Sequence, residues 1–307
     1  MGSNYAGHPA QTQPVPHLRA VPYSTIPQVD TPNLFGGLVA LVSAVVWGTS
    51  DFAGGLASRN RSQYQVLTLT TLAGMASLLA AILLRSEGWP ASVSILWSCA
   101  AGISGAIGMA ALYRGLAIGQ AALVAPTAAV VSVIPPVVVG TILYGPPGPW
   151  KWVGMAAGMI GIWLGTRGTG SGRETNGLGL AILAGFGFGG FFLCIVQTDP
   201  TNVFFPLFIA KMAGFLFALL VLLFRRSKLP SLRGSGLALL AGVLDAGGNV
   251  FFLLAARLTR IELATVISSM APVMTVILAA FISKQKASAV QKLGVGFCLI
   301  AIALILA

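Results

Sequence analysis

The chain has 307 residues, of which 56% are hydrophobic and only 8% are charged, and its formal net charge is +11. A soluble domain is roughly 25% charged, so this composition excludes a soluble globular protein and indicates a membrane protein. The basic residues are scattered in short turns between apolar runs, which disfavours a nucleic-acid-binding surface and suits orientation of the chain in a membrane.

The chain starts with a polar, proline-rich stretch over residues 1–33. It lacks the apolar core of a signal peptide, and we expect a flexible tail. Both histidines, His8 and His17, fall in this tail, so the apolar body offers no imidazole for acid, base or ligand chemistry. The three cysteines are widely spaced within apolar runs. We therefore expect no enzyme, no cofactor and no metal site.

Apolar runs, many of about 18 or more residues and so long enough to cross a hydrocarbon core of about 30 Å, fill the rest of the chain. Breaks at charged or Gly/Pro-rich positions predict ten helices. Their ranges are 34–57, 65–85, 92–117, 120–144, 150–167, 177–197, 202–224, 234–258, 261–283 and 287–307. The predicted fold class is an all-α polytopic membrane protein with ten transmembrane helices.

The two halves of the chain resemble each other when one is shifted by 140 residues, without a gap. The pairs brought together include Ala44 with Ala184, Gly102 with Gly242, Ala106 with Ala246, Gly108 with Gly248 and Gly154 with Gly294. We expect a first five-helix repeat over 34–167 and a second over 177–307. Because five is odd, the second repeat enters the membrane from the opposite side. Such inverted repeats are typical of alternating-access transporters with a site near the midplane.

Three ionisable residues lie well inside the apolar runs: Asp51, Lys211 and Asp245. A charge at the centre of a membrane helix costs about 2.5–3.5 kcal/mol, so it usually persists for pairing or function. Asp245 and Asn249 are four residues apart and share a helical face. An ion pair between Lys211 and Asp245 and a substrate-facing or proton-carrying role for Asp245 both stay open.

The motif WGTSDF, residues 47–52, places Trp47 and Asp51 four residues apart on one helical face. An aromatic ring beside a carboxylate suits a zwitterion or an organic cation, because the carboxylate pairs with the ammonium and the indole offers a cation–π contact. The alternative is a tryptophan of the interfacial aromatic belt with an aspartate at the rim.

Further cavity-lining candidates are hydroxyl or aromatic residues within the predicted helices, although most such residues serve packing. They are Tyr113, Ser132, Phe188 and Ser268.

Prolines that bend or break helices are candidate hinges. They are Pro126, Pro135, Pro136 and Pro272.

Small residues in the predicted fifth helix, Gly154-xxx-Gly158 and Gly161-xxx-Gly165, allow close helix packing. We favour packing within one chain, and hence a monomer, over a dimer interface.

Glu262 lies in the first turn of the predicted ninth helix, where it suits a helix cap beside Arg260.

With ten helices, a five-plus-five repeat and the motif Trp47–Phe52, the chain from residue 34 to 307 resembles the ten-helix EamA-like members of the drug/metabolite transporter superfamily. Trp47-Gly48-Thr49, the prolines Pro135, Pro136 and Pro272, and the glycines Gly154 and Gly294 match the family's degenerate motifs. Family members commonly carry a Glu soon after the fourth helix of each repeat, where this chain has Gly145 and Gln285.

The resemblance implies a multi-pass carrier of the bacterial inner membrane, similar to aromatic amino acid and paraquat exporters, that binds a small molecule within the lipid bilayer. We expect a secondary transporter that exports amino acids, aromatic or other neutral ones, and related metabolites by alternating access. A multidrug or organic-cation exporter, or another metabolite carrier, is the alternative. A channel or an intramembrane enzyme fits less well. Lys and Arg are more frequent in the breaks after the first, third, fifth, seventh and ninth predicted helices than on the opposite side, which predicts that both termini lie outside the cell. The resemblance instead implies cytoplasmic termini.

Overall fold

A computed structural model describes residues 34–57, 63–118, 121–165, 177–226, 230–282 and 288–306. Its helices are α1 (Leu34–Ala57), α2 (Gln63–Arg85), α3 (Ser92–Ile118), α4 (Ala121–Tyr144), α5 (Pro149–Gly165), α6 (Leu178–Ile195), α7 (Phe204–Phe224), α8 (Gly236–Leu258), α9 (Ile261–Ser268), α10 (Ala271–Ile282) and α11 (Ala289–Leu306). The predicted tail over 1–33 lies outside the described residues. The helices α1–α4 and α6–α8 each contain a stretch long and apolar enough to cross a membrane. The all-helical, polytopic prediction is confirmed.

The helix predicted over 261–283 is divided into α9 and α10. The amide of Met270 bonds the carbonyl of Ile267 at 3.1 Å, which tightens the last turn of α9. Pro272 follows two residues later and has no N–H with which to continue the ladder. The single predicted helix is therefore wrong at this point, because the ladder is interrupted two residues before the proline.

The packing of the helices is unchanged when the two halves are exchanged. Helix α1 packs on α8 as α6 packs on α3, and α2 packs on α8 as α7 packs on α3. Helix α1 also packs on α9 and α10 as α6 packs on α4, while α2 meets α7 and α5 meets α11. This pattern is that of a two-fold axis relating α1–α5 to α6–α11, and it confirms two inverted five-helix repeats.

Gly102 of α3 and Gly242 of α8 mark the same close contact in the two halves. A Cβ atom on Gly102 would collide with the carbonyl oxygen of Ala210, and one on Gly242 with that of Thr70. Ala210 and Thr70 are themselves related by the 140-residue shift. Glycine at both positions lets the backbones of α3 and α7, and of α8 and α2, come into contact.

The glycines of α5 pack within the chain. A Cβ on Gly154 would lie 2.9 Å from Cγ1 of Ile305, and one on Gly161 would lie 2.8 Å from the amide nitrogen of Cys298, both in α11. These two positions are therefore used for intramolecular packing, as favoured from the sequence.

Polar contacts tie helix ends together on the side of the bundle where α1 begins, here called the N-terminal side. The carboxylate of Glu87 accepts hydrogen bonds from the amides of Val203 (2.7 Å) and Phe205 (2.8 Å) and so caps α7. Arg257, near the end of α8, donates to carbonyls of the segment 199–202 before α7. The ends of α2 and α8 are thereby joined to the start of α7.

Arg260 makes a second connection on the N-terminal side. It pairs with Glu262, whose side chain is fully buried in the first turn of α9, and donates to the carbonyl of Gly145 at 2.6 Å. Its guanidinium also lies 5.8 Å from the ring centroid of Tyr144. Gly145 has a φ of 74°, a conformation that glycine adopts readily and that would strain a glutamate at this position.

Candidate functional site

Helices α7 and α8 bring a lysine, an aspartate and an asparagine together in the interior. Lys211 and Asp245 form an ion pair, and their side chains are 15% and 33% exposed. The Asn249 amide donates to the Asp245 carbonyl oxygen at 2.5 Å and to Oδ1 at 3.2 Å. The ion pair that the sequence allowed is present, and its aspartate stays accessible on one side.

Trp47 of α1 lies beside this pair. Its indole Nε1 donates to the carbonyl oxygen of Asp245 at 3.3 Å. The ring stacks on Phe252, with centroids 5.8 Å apart, and lies 5.9 Å from Phe192 at a tilt. Glycine at position 248 makes room for it, because a Cβ there would lie 2.6 Å from Nε1. The aromatic ring is thus engaged in packing, and its edge borders the site.

Asp51 lies one turn after Trp47, on the side of α1 that faces α8 and α10. Ser50 donates to the carbonyl of Ala241 in α8 at 2.7 Å, and Gly48 packs against Met274 of α10. Successive residues of a helix are rotated by about 100° around its axis. Asp51 therefore lies on the side of α1 between Ser50, which contacts α8, and Gly48, which contacts α10. The Asp51 side chain is exposed, so the neighbouring described residues do not enclose it.

The lipid-facing side of α1 is different from the side that carries Asp51. It presents the exposed side chains of Leu38, Val42 and Val45. The Asp51 carboxylate is near enough to Asp245 for the two to interact electrostatically. Among the residues that the structure describes, no lysine or arginine lies within ion-pair distance of Asp51.

The other half of the bundle carries no charge at the corresponding positions. The 140-residue shift relates Asp51 to Phe191, Lys211 to Thr71, Asp245 to Gly105 and Asn249 to Met109. Phe191 faces Gly105, since a Cβ on that glycine would lie 3.6 Å from the Phe191 Cβ. A charged half, on α1, α7 and α8, is therefore related by the two-fold axis to an apolar half on α3 and α6. Phe191 was not among the predicted site residues, although the shift applied to Asp51 leads to it.

The remaining predicted lining residues lie on α3, α4, α6 and α9. Ser132 is buried and donates to the carbonyl of Ala129 at 2.8 Å, and Ser268 is fully buried and lies 3.3 Å from the carbonyl of Ala40. Phe188 packs on Gly108 of α3. Tyr113 belongs to α3, but its side chain lies outside the described residues.

The four prolines fall on two different helical paths. Pro126, Pro135 and Pro136 lie within the continuous helix α4, and Pro272 follows the interruption between α9 and α10. The ring of Pro135 packs against Gly189 of α6, where a Cβ would lie 2.7 Å from the ring. The side chain of Pro126 lies outside the described residues.

Comparison with known proteins agrees with this architecture. The model of the EamA-like transporter family matches residues 34–167 and 175–307, one match in each half. A crystal structure of a protein is 17% identical to the chain, with a TM-score of 0.71, and the match covers 88% of this chain and 97% of that one. That likeness shows the fold. No curated protein matches the chain. The chain therefore belongs to the EamA-like transporter family, whose members are multi-pass membrane transporters for small molecules.

Proposed function

We propose that the chain is a secondary transporter that exports amino acids and related metabolites across the bacterial inner membrane by alternating access. The observation that carries this proposal is the cluster of Asp51, Lys211, Asp245 and Asn249 inside the bundle, at the interface between two inverted repeats. Charged residues within a membrane bundle typically mark a substrate or ion path. Inverted repeats supply two related shapes around one midplane site.

The charged half offers partners to both ends of an amino acid. The carboxylates of Asp51 and Asp245 would accept an ammonium group, while Lys211 and Asn249 would donate to a carboxylate. The apolar half, which includes Phe191 and is related to the charged half by the two-fold axis, suits an aromatic or other neutral side chain. In this proposal the bound molecule spans the two halves.

Alternating access requires helices that bend. The interruption at Ser269 and Met270, followed by Pro272, divides the helical path next to α1. We propose this point as a hinge, together with the prolines of α4. Asp245 is the proposed carrier of any coupled proton, because its carboxylate is both paired with Lys211 and accessible.

A second candidate, a multidrug or organic-cation exporter, is favoured by one observation. Asp51 adds a carboxylate that Lys211 does not neutralise. Such a site attracts cations in general, and an aromatic border adds to this attraction. The two candidates differ in whether the transported molecule must carry a carboxylate of its own.

The test is uptake of a panel of labelled amino acids by the purified protein in proteoliposomes. We expect saturable uptake of neutral, apolar amino acids, reduced at least about tenfold in Asp245→Asn and in Lys211→Met. Thr49→Val is the matched control, because in the described part of the chain the Thr49 hydroxyl bonds the Val45 carbonyl of its own helix, at 2.8 Å. Uptake of no amino acid, or equal uptake by all variants, would refute the proposal.

A further inference from the structure

Two charged contacts on the N-terminal side join the two repeats to each other. The Glu87 carboxylate, after α2, accepts hydrogen bonds from the amides that begin α7. Arg260, between α8 and α9, donates to the carbonyl of Gly145, directly after α4. Arg257 also donates to carbonyls on this side, but these belong to the segment 199–202 of its own repeat. The contacts of Glu87 and Arg260 are called the inter-repeat bridges below.

The Arg260 bridge includes a carboxylate that is shut away from water. Glu262 is fully buried, and its Oε1 atom pairs with the Arg260 guanidinium. Its Oε2 atom lies against Gly140 of α4, where a Cβ would collide with it, and accepts no hydrogen bond in the described part of the chain. A buried carboxylate that loses its cation is strongly destabilising, so this arrangement of helix ends depends on Arg260.

The inter-repeat bridges are not repeated in the other half of the sequence. The 140-residue shift relates their three charged residues to uncharged ones, which are Gln120 for Arg260, Ala122 for Glu262 and Ser227 for Glu87. The two-fold axis relates the N-terminal side of one repeat to the opposite side of the other. At the corresponding positions, the opposite side therefore has the residues for neither bridge.

We propose that the inter-repeat bridges hold the N-terminal side closed, and that this closed form is the resting conformation of the carrier without substrate. The inference rests on the alternating access of the proposed function. The two conformations of an inverted-repeat carrier exchange the roles of the halves, so identical halves would give both conformations equal weight. Charge-assisted hydrogen bonds that form in only one conformation shift the population towards it.

Helix α9 is the segment that the Arg260 bridge restrains. All of its residues, from Ile261 to Ser268, are buried, and it packs on α1 and α4 of the first repeat. Arg260 precedes its first residue, and the interruption after Ser268 separates it from α10. The interruption lets α9 move away from α4 without displacing α10 once Arg260 releases Gly145.

The experiment measures one distance across the Arg260 bridge in the protein without substrate. Spin labels are placed at Gly148→Cys in the first repeat and at Leu258→Cys in the second, after the native Cys99, Cys194 and Cys298 have been replaced by alanine. Both labelled positions are exposed, and a Cβ on Gly148 has no neighbour within 4 Å. The full chain is reconstituted in lipid nanodiscs, and double electron–electron resonance gives the distribution of distances.

We expect one dominant short distance with both bridges intact. Arg260→Gln and Glu87→Gln should each raise the ratio of a longer distance to the short one at least about tenfold, because each removes charge-assisted hydrogen bonds of the closed form. Arg260→Lys keeps the cation and should retain most of the short distance. Arg257→Gln is the matched control on the same side, and it should leave the distribution unchanged because its bonds lie within one repeat.

The outcomes separate this inference from the proposed function, because no substrate is present. Two distances of equal weight with both bridges intact would overturn the inference, as would a distribution that neither Arg260→Gln nor Glu87→Gln changes. A shift of the same size in Arg257→Gln would also overturn it, since any loosened helix end would then have this effect. Amino acid transport is decided separately by the uptake panel. If Arg260→Gln fails to fold, Glu87→Gln and the unaltered bridges still decide the matter.

Discussion

Asp245 is held by side chains from three helices. Lys211 of α7 pairs with its carboxylate, Asn249 of α8 donates to it, and Trp47 of α1 donates to its carbonyl oxygen. This arrangement fixes the carboxylate while leaving a third of the side chain accessible. The residue can thus stabilise the fold and face a substrate at the same time.

The ion pair gives a prediction about stability. Lys211→Met leaves the Asp245 carboxylate without its cation inside the bundle, and we expect a loss of about 1–3 kcal/mol of unfolding free energy. Adding Asp245→Asn removes the stranded charge, so the double variant should recover part of this loss. Thermal unfolding of the unaltered protein, the two single variants and the double variant in one detergent measures the effect. A double variant whose loss equals the sum of the two single losses would contradict the coupling.

The charged residues of the candidate site can be selected from the sequence alone, whereas their packing cannot. Asp51, Lys211 and Asp245 stand out because charges within apolar runs are costly. The packing of Trp47 depends on Phe192 and Phe252, which lie far away in the chain, and no local pattern indicates it. The same holds for Ser268, which is buried against Ala40 of α1.

At the scale of helices, glycine decides how closely the two repeats approach. Gly102 and Gly242 pack on carbonyl oxygens of α7 and α2. A backbone carbonyl cannot move aside as a flexible side chain can. We therefore regard these two contacts as the points that set the spacing between α3 and α7 and between α8 and α2.

Alanine at these two glycines should destabilise the protein. We expect Gly102→Ala and Gly242→Ala each to lower the unfolding free energy by about 1–3 kcal/mol, because the added methyl group forces the helices apart. Gly247→Ala is the control in α8, since its Cβ would lie 3.6 Å from Val46, an ordinary contact. The measurement is the midpoint of thermal unfolding. Equal midpoints for all three variants would show that the helices tolerate a wider spacing.

The interruption between α9 and α10 shows the limit of local patterns. Helix α4 remains continuous through Pro126, Pro135 and Pro136, whereas the path through Pro272 is interrupted. A proline removes one donor in either case, so the difference arises from tertiary contacts. At the interruption, Gly48 of α1 packs against α10, and the Thr275 hydroxyl donates to the Gly48 carbonyl at 3.0 Å.

At the scale of the whole molecule, a symmetric scaffold carries an asymmetric interior. The two-fold relation was predictable from the 140-residue shift, because glycine and alanine recur at the helix contacts in both halves. The interior departs from the symmetry, with charges in one half and Phe191 and Met109 in the other. In the proposed function the symmetric scaffold would allow the movement, and the asymmetric interior would bind the substrate.

The contacts on the N-terminal side bear on this movement. Glu87 and Arg260 join helix ends of the two repeats there, and Arg257 joins two helix ends within the second repeat. An alternating-access transporter must open each side in turn. We therefore expect the bonds of Arg260 to Glu262 and Gly145 to be broken in the state that is open to the N-terminal side.

The central claim is that this chain is a carrier with one interior site, and counterflow tests it most directly. Proteoliposomes are loaded with unlabelled 2-phenylethylamine or phenylalanine, and entry of the same labelled compound is followed for the unaltered protein and for Asp51→Asn. The account predicts saturable entry that internal unlabelled compound accelerates, and loss of this acceleration in the variant. Entry that rises linearly with concentration and ignores the internal compound would indicate a channel and contradict the account.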